Sequence, residues 1–412
     1  MKNILIIPPF NPYPLVSGGH QAIFNGIAIL KDVANVYIYV ETTESQHKRG
    51  EDRLIEEALP FVHVLSNIDP ASKHTIKWYW KVLMNKLKGK LGINDAPKEV
   101  ANPQLRIESI SELSEHKITF VLNAIKQYHI DIVQVEMMPD IRLINSLPKE
   151  VKTIFVQHEI KFVRDELFLQ TMENITETMN AMYNQNKKEE IELHNKYDHV
   201  ITLSLIDTKK LIEAGVTTPI TTSLAIVNPS LCQLTVETSV RKVLSYVGPE
   251  SHYPNYDGIM WFLENCWPLL LARDPEYDFQ IIGKWSEQTA NELAQKYNNK
   301  VHCVGFVDDL RKALAGTTMI VPLNIGSGIR MKILEAAQLN VPVVTTHVGG
   351  EGLPLIDGEN SFITDIPSQF IDDILKLQDK SLRQKFVMSL RGVIAAKYSI
   401  QALRESRISL YQ

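Results

Sequence analysis

The 412-residue chain has only three cysteines, Cys232, Cys266 and Cys303, and no CxxC pair. That excludes a disulfide framework and a thiolate zinc site, and fits a reducing compartment. No run of eighteen apolar residues occurs, so nothing reads as a membrane-spanning helix. The opening "MKNILIIPPF" has too short an apolar run for a signal h-region and no small-residue cleavage site, so a cytoplasmic protein is expected. A surplus of positive charge is also missing. The net charge of −5 argues against nucleic acid as a partner. The dinucleotide fingerprint GxGxxG is absent as well.

What is present is the composition of a globular protein, 44% hydrophobic and 22% charged, in a chain long enough for two domains. Short apolar runs alternate with helix-length amphipathic stretches, the pattern of parallel sheets with helices on both faces. Strands are expected at 3–7, 35–40, 131–135, 152–157 and 199–204, with helices at 20–31, 105–128 and 160–195. A second half repeats the rhythm, with strands at 243–248, 278–283, 301–306, 318–323 and 341–346. The stretch 224–241 has neither period and reads as a linker. The expected division is a first domain over 1–225, a second over 240–394, and a final amphipathic segment over 395–412 returning to the first domain. Two such domains leave a cleft, and ligands sit outside the carboxyl ends of parallel strands.

One segment stands apart. Residues 71–94, "ASKHTIKWYWKVLMNKLKGKLGIN", hold six lysines and no acidic residue, beside Trp78, Tyr79 and Trp80. One reading is peripheral contact with an anionic membrane at its inner face; the other is a solvated helix face over a buried aromatic stripe.

Three stretches carry chemistry. Gly18 and Gly19 precede a helical period, where missing side chains let backbone N–H groups approach a phosphate or hydroxyl; taken singly, a structural turn explains the pair slightly better. His158 and Glu159 follow a strand end and face the cleft, although a lone histidine is often structural. The third is "NIGSGIRMKILEA" (324–336). Gly326 and Gly328 bracket Ser327, and a helix is expected to begin at 327–329, its amides favouring an anion. Arg330 and Lys332 add positive charge there, and Lys332 shares a helix face with Glu335. An exposed ion pair is the bland explanation. Beside a cleft, the set suits a diphosphate at Arg330 and Lys332 and a ribose diol at Glu335.

These residues carry a resemblance that covers nearly the whole chain. "GSGIRMKILEA" and "VPVVTTHVGGEGL" resemble the "GSGTRLKILEA" and "PVVSTxxGxEGL" patterns of a subgroup of glycosyltransferase family 4, or group 1. Residues 245–270, with Asn255, Asp257 and Trp261–Leu263, and "VGFVDDL" (304–310) are similar to its other segments. The resemblance implies a GT-B architecture: two Rossmann-like parallel-sheet domains facing a cleft, with a C-terminal helix packed back on the first. It implies a retaining transfer of a hexosyl group from a nucleotide-diphosphate sugar, UDP before GDP, to a glycan or lipid-linked acceptor in bacterial-type surface polysaccharide synthesis. No metal and no cofactor beyond the donor are implied. Glu335 matches the second carboxylate of the family's Glu-x7-Glu motif, which holds ribose hydroxyls. Backbone at Phe306 and Val307 would read the base, Gly18 and Gly19 would approach the diphosphate, and His158, with Glu159 beside it, would meet the donor sugar. Ser327 stands where the first carboxylate of that motif falls, and "GPESHYPNYDG" lacks the Arg and Lys of "GRxxxxKG". Arg330 and Lys332 are read as the compensating cations, and with His158 as the catalytic set. The alternatives are a nucleotide-sugar 2-epimerase, which shares this fold, and a non-catalytic nucleotide-sugar binder.

Overall fold

A computed structural model describes residues 1–68, 107–226 and 239–412. The lysine-rich segment 71–94, Cys232, most of the linker and the start of the helix expected from 105 lie outside the described residues. The fold is mixed α/β, with two parallel-sheet Rossmann-like domains, as the sequence pattern implied.

Seven parallel strands form the first sheet: β1 (Lys2–Ile7), β2 (Ala34–Val40), β3 (Val62–Ser66), β4 (Ile132–Glu136), β5 (Lys152–Gln157), β6 (His199–Thr202) and β7 (Ile220–Thr222). Their order is β3-β2-β1-β4-β5-β6-β7. The second sheet has β8 (Val243–Val247), β9 (Asp278–Ile282), β10 (Val301–Gly305), β11 (Thr318–Val321), β12 (Val343–Thr345) and β13 (Phe362–Ile363), in the order β10-β9-β8-β11-β12-β13. The central strands are apolar runs covered on both faces; Ile4 to Ile7 are fully buried. Each expected strand is present. β3, β7 and β13 were not anticipated, because short edge strands carry little periodicity.

Helix boundaries moved for identifiable reasons. The first helix is Gly18–Ala28 rather than 20–31, because the Ser17 hydroxyl caps it by accepting from the His20 N–H. Of the helix expected over 105–128, Glu115–Gln127 is helical, capped by Ser114, and 107–114 is not. The helix expected over 160–195 is two, Lys161–Gln170 and Glu177–His194; the Thr176 hydroxyl starts the second by accepting from the Met179 N–H.

The last helix, Ile400–Arg407, packs back on the first sheet's domain. Arg404 donates to the Ile29 carbonyl (3.1 Å), Lys152 donates to the Leu410 carbonyl (2.6 Å), and the Tyr411 hydroxyl donates to Gln134 (2.5 Å).

Candidate functional site

Strand order reverses once in each sheet, between β1 and β4 in the first and between β8 and β11 in the second. Crevices outside the carboxyl ends of such strand pairs bind ligands. The segments leaving these strands face one another, and most of the singled-out residues lie on them.

On the first domain, Gly18 and Gly19 open the helix after β1. A Cβ on Gly18 would lie 2.4 Å from the Met331 Cβ, so the glycine lets the second domain's turn approach. His158 follows β5, its Nε2 2.7 Å from Oε2 of Glu136, the buried last residue of β4. Glu159 accepts from Arg164 (3.0 Å), which also holds Asp165. Burial raises the Glu159 carboxyl, but Arg164, His252 and Arg330 outweigh it and leave it below the usual carboxylate range.

On the second domain, Gly326 (φ 130°) and Gly328 (φ 78°) take left-handed conformations that cannot belong to a helix. The helix therefore begins at Met331, not at 327–329, and Arg330 is its N-cap residue. A Cβ on Gly328 would stand 2.1 Å from the His158 carbonyl oxygen. Ser327 sits at the same junction. Its hydroxyl accepts from the Ile160 N–H (2.6 Å) and lies 3.0 Å from the Ile160 carbonyl.

The cations of the turn have neutral partners. Arg330 is 7% exposed. Its guanidinium donates to the carbonyls of Ser327 (2.5 Å), Gly328 (2.6 Å) and Val348 (3.2 Å), and its Nε is buried without a partner. Lys332 is partly buried and donates to the Tyr246 hydroxyl (2.6 Å) and Asn255 Oδ1 (3.0 Å), with Nζ 3.9 Å from the centre of the Tyr246 ring. Among the described residues neither cation forms an ion pair, so Lys332 and Glu335, on one helix face, are not salt-bridged. Desolvation, then the nearby Arg330 charge, push the Lys332 ammonium well below its ordinary pKa. Glu335 reaches the other way and accepts from the Gln21 amide across the cleft. Burial raises its carboxyl against the pull of Gln21 and Lys332.

The cleft thus brings together Gly18, His158 and Glu159 with Ser327, Gly328, Arg330, Lys332 and Glu335. Gly19 contacts Met137 beside β4, and Gly326 packs near the Arg330 guanidinium. Phe306 and Val307 are placed elsewhere, after β10 and three strands from β11, with Phe306 68% exposed. Among the described residues no three metal-ligating side chains cluster. Sequence reasoning missed Gln21, Glu136 and Tyr246. The one available signal was in β4, "IVQVE", where Gln134 and Glu136 interrupt an apolar strand on one face.

Residues 241–380 match the family model of glycosyl transferases group 1. They hold the second sheet and the whole of the glycine-rich turn. A Klebsiella pneumoniae protein, called an uncharacterized 44.6 kDa protein in cps region, is 24% identical over 128 residues; the match spans 29% of this chain and a third (33%) of that protein's length. Among solved structures, TarM aligns over 100% of this chain and 99% of its own at 14% identity, with a TM-score of 0.72. S. aureus TarM has also been seen with UDP and alpha-GlcNAc-glycerol. Anabaena HepE, solved with UDP and glucose, aligns over 100% and 99% at 15% identity and a TM-score of 0.66. Sucrose-phosphate synthase from Thermosynechococcus elongatus does so over 100% and 98% at 14% and 0.68. At such identities the likeness establishes the fold, which is GT-B.

Proposed function

We propose that the protein is a retaining glycosyltransferase that moves a hexosyl group from a nucleotide-diphosphate sugar, UDP before GDP, to a hydroxyl of a glycan or lipid-linked acceptor. One observation carries the reading. Two cations stand two residues apart at a glycine-rich turn in an interdomain cleft, and their hydrogen bonds go only to neutral acceptors. Glu159, Glu351 and Asp207 act on Arg330, and Glu335 on Lys332, from beyond hydrogen-bond reach, but burial outweighs them, and an anionic ligand would offset that cost. A diphosphate does so, and its charge grows as the glycosidic bond breaks, so the same groups stabilise the leaving group. The leaving diphosphate oxygen can then take the acceptor proton. His158 would meet the donor sugar and Glu335 the ribose, once Gln21 gives way. Phe306 and Val307, on their separate strand end, would meet the base. The group 1 match over the second domain and the UDP held by TarM and HepE support a nucleotide-sugar donor; the cps-region relative supports a surface-glycan role. No step is assigned to a metal. A peripheral site of action at the inner membrane face is part of the same proposal.

The test is a nucleotide-release screen across UDP- and GDP-sugars, with and without glycan and lipid-linked acceptors. Release that depends on acceptor is expected, with the anomeric configuration kept in the product. An epimerised donor without release, or donor binding without turnover, overturns the proposal.

A further inference from the structure

His158 belongs to a buried polar chain whose direction can be worked out from one end. At the far end is Tyr411, near the buried Arg407, whose Nε donates to the Ser223 hydroxyl (2.7 Å). At the other end the Glu136 carboxylate only accepts, so the Gln134 NH2 turns to it and leaves Oε1 to accept from the Tyr411 hydroxyl, at 2.5 Å. This sets the Gln134 amide: its oxygen faces Tyr411 and its NH2 faces Glu136, donating to Oε1 at 2.6 Å. The other carboxylate oxygen, Oε2, meets His158 Nε2 at 2.7 Å. The carboxylate accepts at both oxygens, so the shared proton sits on Nε2.

Gln134, Glu136 and Tyr411 are each at most 1% exposed, which shields the chain from competing water. Among the described residues no hydrogen bond reaches His158 Nδ1. With Nε2 protonated, Nδ1 carries a lone pair.

We propose that Glu136 is a positioning residue that holds His158 in its Nε2–H form, so that Nδ1 accepts a hydrogen bond from a hydroxyl of the bound sugar, and that the C-terminal Tyr411 supports the chain through Gln134. The identity of the hydroxyl rests on the sugar-transfer reading; the proton order does not. His158 is then a hydroxyl acceptor at Nδ1 rather than a proton donor to the leaving group. The C-terminal segment, far from the cleft in sequence, becomes a part of its first-domain wall.

Two readouts separate the inference from the function. In the full chain labelled with 15N-histidine, the His158 ring nitrogens are assigned by comparison with His158→Asn. At a pH where the ring is neutral, Nε2 should show a protonated-type and Nδ1 an unprotonated-type shift. Glu136→Leu should move this toward the mixed values of a free imidazole, and Tyr411→Phe should do so in part. In the release assay, near-isosteric Glu136→Gln should lower kcat about tenfold while the donor KM stays within about threefold, with Glu136→Asp recovering part of the loss. A protonated Nδ1 in the wild type, or a tautomer and kcat indifferent to Glu136→Leu and Glu136→Gln, overturns the inference. The stated tautomer with no turnover of any donor supports the proton order and counts against the transferase reading.

Discussion

On the first-domain face of the cleft, His158 meets the Glu136 carboxylate and Arg164 meets Glu159 and Asp165. On the second-domain face, Arg330 and Lys332 donate to carbonyls, a phenol and an amide. Both faces carry desolvated charge, but only on the first do carboxylates touch it directly. On the second, Glu159, Glu351, Asp207 and Glu335 act on the cations from beyond hydrogen-bond reach, and burial still outweighs them. The difference separates two kinds of buried charge, one paired by contact and one held by neutral groups.

The comparison breaks most directly if one kind of substitution is made on each face. Lys332→Met removes the unpaired cation, while Tyr246 and Asn255 keep their mutual hydrogen bond (2.6 Å). UDP affinity and turnover should fall about 100-fold, close to 3 kcal/mol, yet the unliganded protein should lose no stability. Arg164→Met leaves Glu159 and Asp165 without their shared cation and should destabilise the protein by about 3 kcal/mol. Titration calorimetry with UDP and urea unfolding without ligand check the pair. Equal losses of stability on both faces would remove the distinction. Arg330→Ala should lower donor affinity too, but it also frees three backbone carbonyls, so it tests the turn as much as the charge.

Two of the close approaches between the faces sharpen the comparison in geometry rather than charge. Gly328→Ala would place a methyl against the His158 carbonyl while holding a left-handed φ, a combination expected to cost about 2 kcal/mol and at least tenfold in turnover. Ser327→Ala should cost about 1 kcal/mol by leaving the Ile160 N–H unpaired, while the Ile160 carbonyl still accepts from the Arg164 N–H (3.2 Å). Hydrogen exchange at the Ile160 amide reads this locally: faster exchange is expected in Ser327→Ala, and an unchanged rate would mean that the serine does not hold the faces together. Ser327→Glu, which restores the family's carboxylate, should not raise activity, because this residue is spent on Ile160.

The two faces were not equally legible in the sequence. The central strands announced themselves as mostly apolar runs, and Gly326 and Gly328 marked a turn whose conformation does require glycine. From there the sequence suggested neighbours by helical spacing, Lys332 with Glu335. The fold instead supplies neighbours from elsewhere: Tyr246 and Asn255 from the end of β8 and its following helix, and Gln21 from the other domain. Those contacts depend on which strands lie side by side, and β8 next to β11 is a crossover that no local spacing encodes. The His158 chain is the extreme case, since it ends on Tyr411 at the far end of the polypeptide. The helix start at Met331 was misplaced for a local reason: two left-handed glycines look like a helix entrance until their φ values are known.

The smallest expected effect tests whether unpaired charge on the second domain is confined to cations. Asp257 lies in the helix Tyr253–Asn265, in a pocket it shares with Asn324 at the start of the turn, and its Oδ2 is buried with no hydrogen-bond partner among the described residues. Burial pushes its carboxyl up to about 6, with Asn324 opposing. The folded state therefore binds this proton more tightly than the unfolded chain does. The charged form weakens the fold above pH 6, and the penalty fades as pH falls from about 6 towards the ordinary carboxylate value near 4. Asp257→Asn has no proton to lose. It should be more stable than the wild type by about 1 kcal/mol at pH 7.5, less than the full shift implies because the residue is partly open to solvent, and the difference should close by pH 4. Urea unfolding of both proteins across this range measures that difference with the other titrations cancelled. A gap that stays constant with pH would place the Asp257 carboxylate among the satisfied charges, leaving the cations of the turn as the unpaired groups of that face.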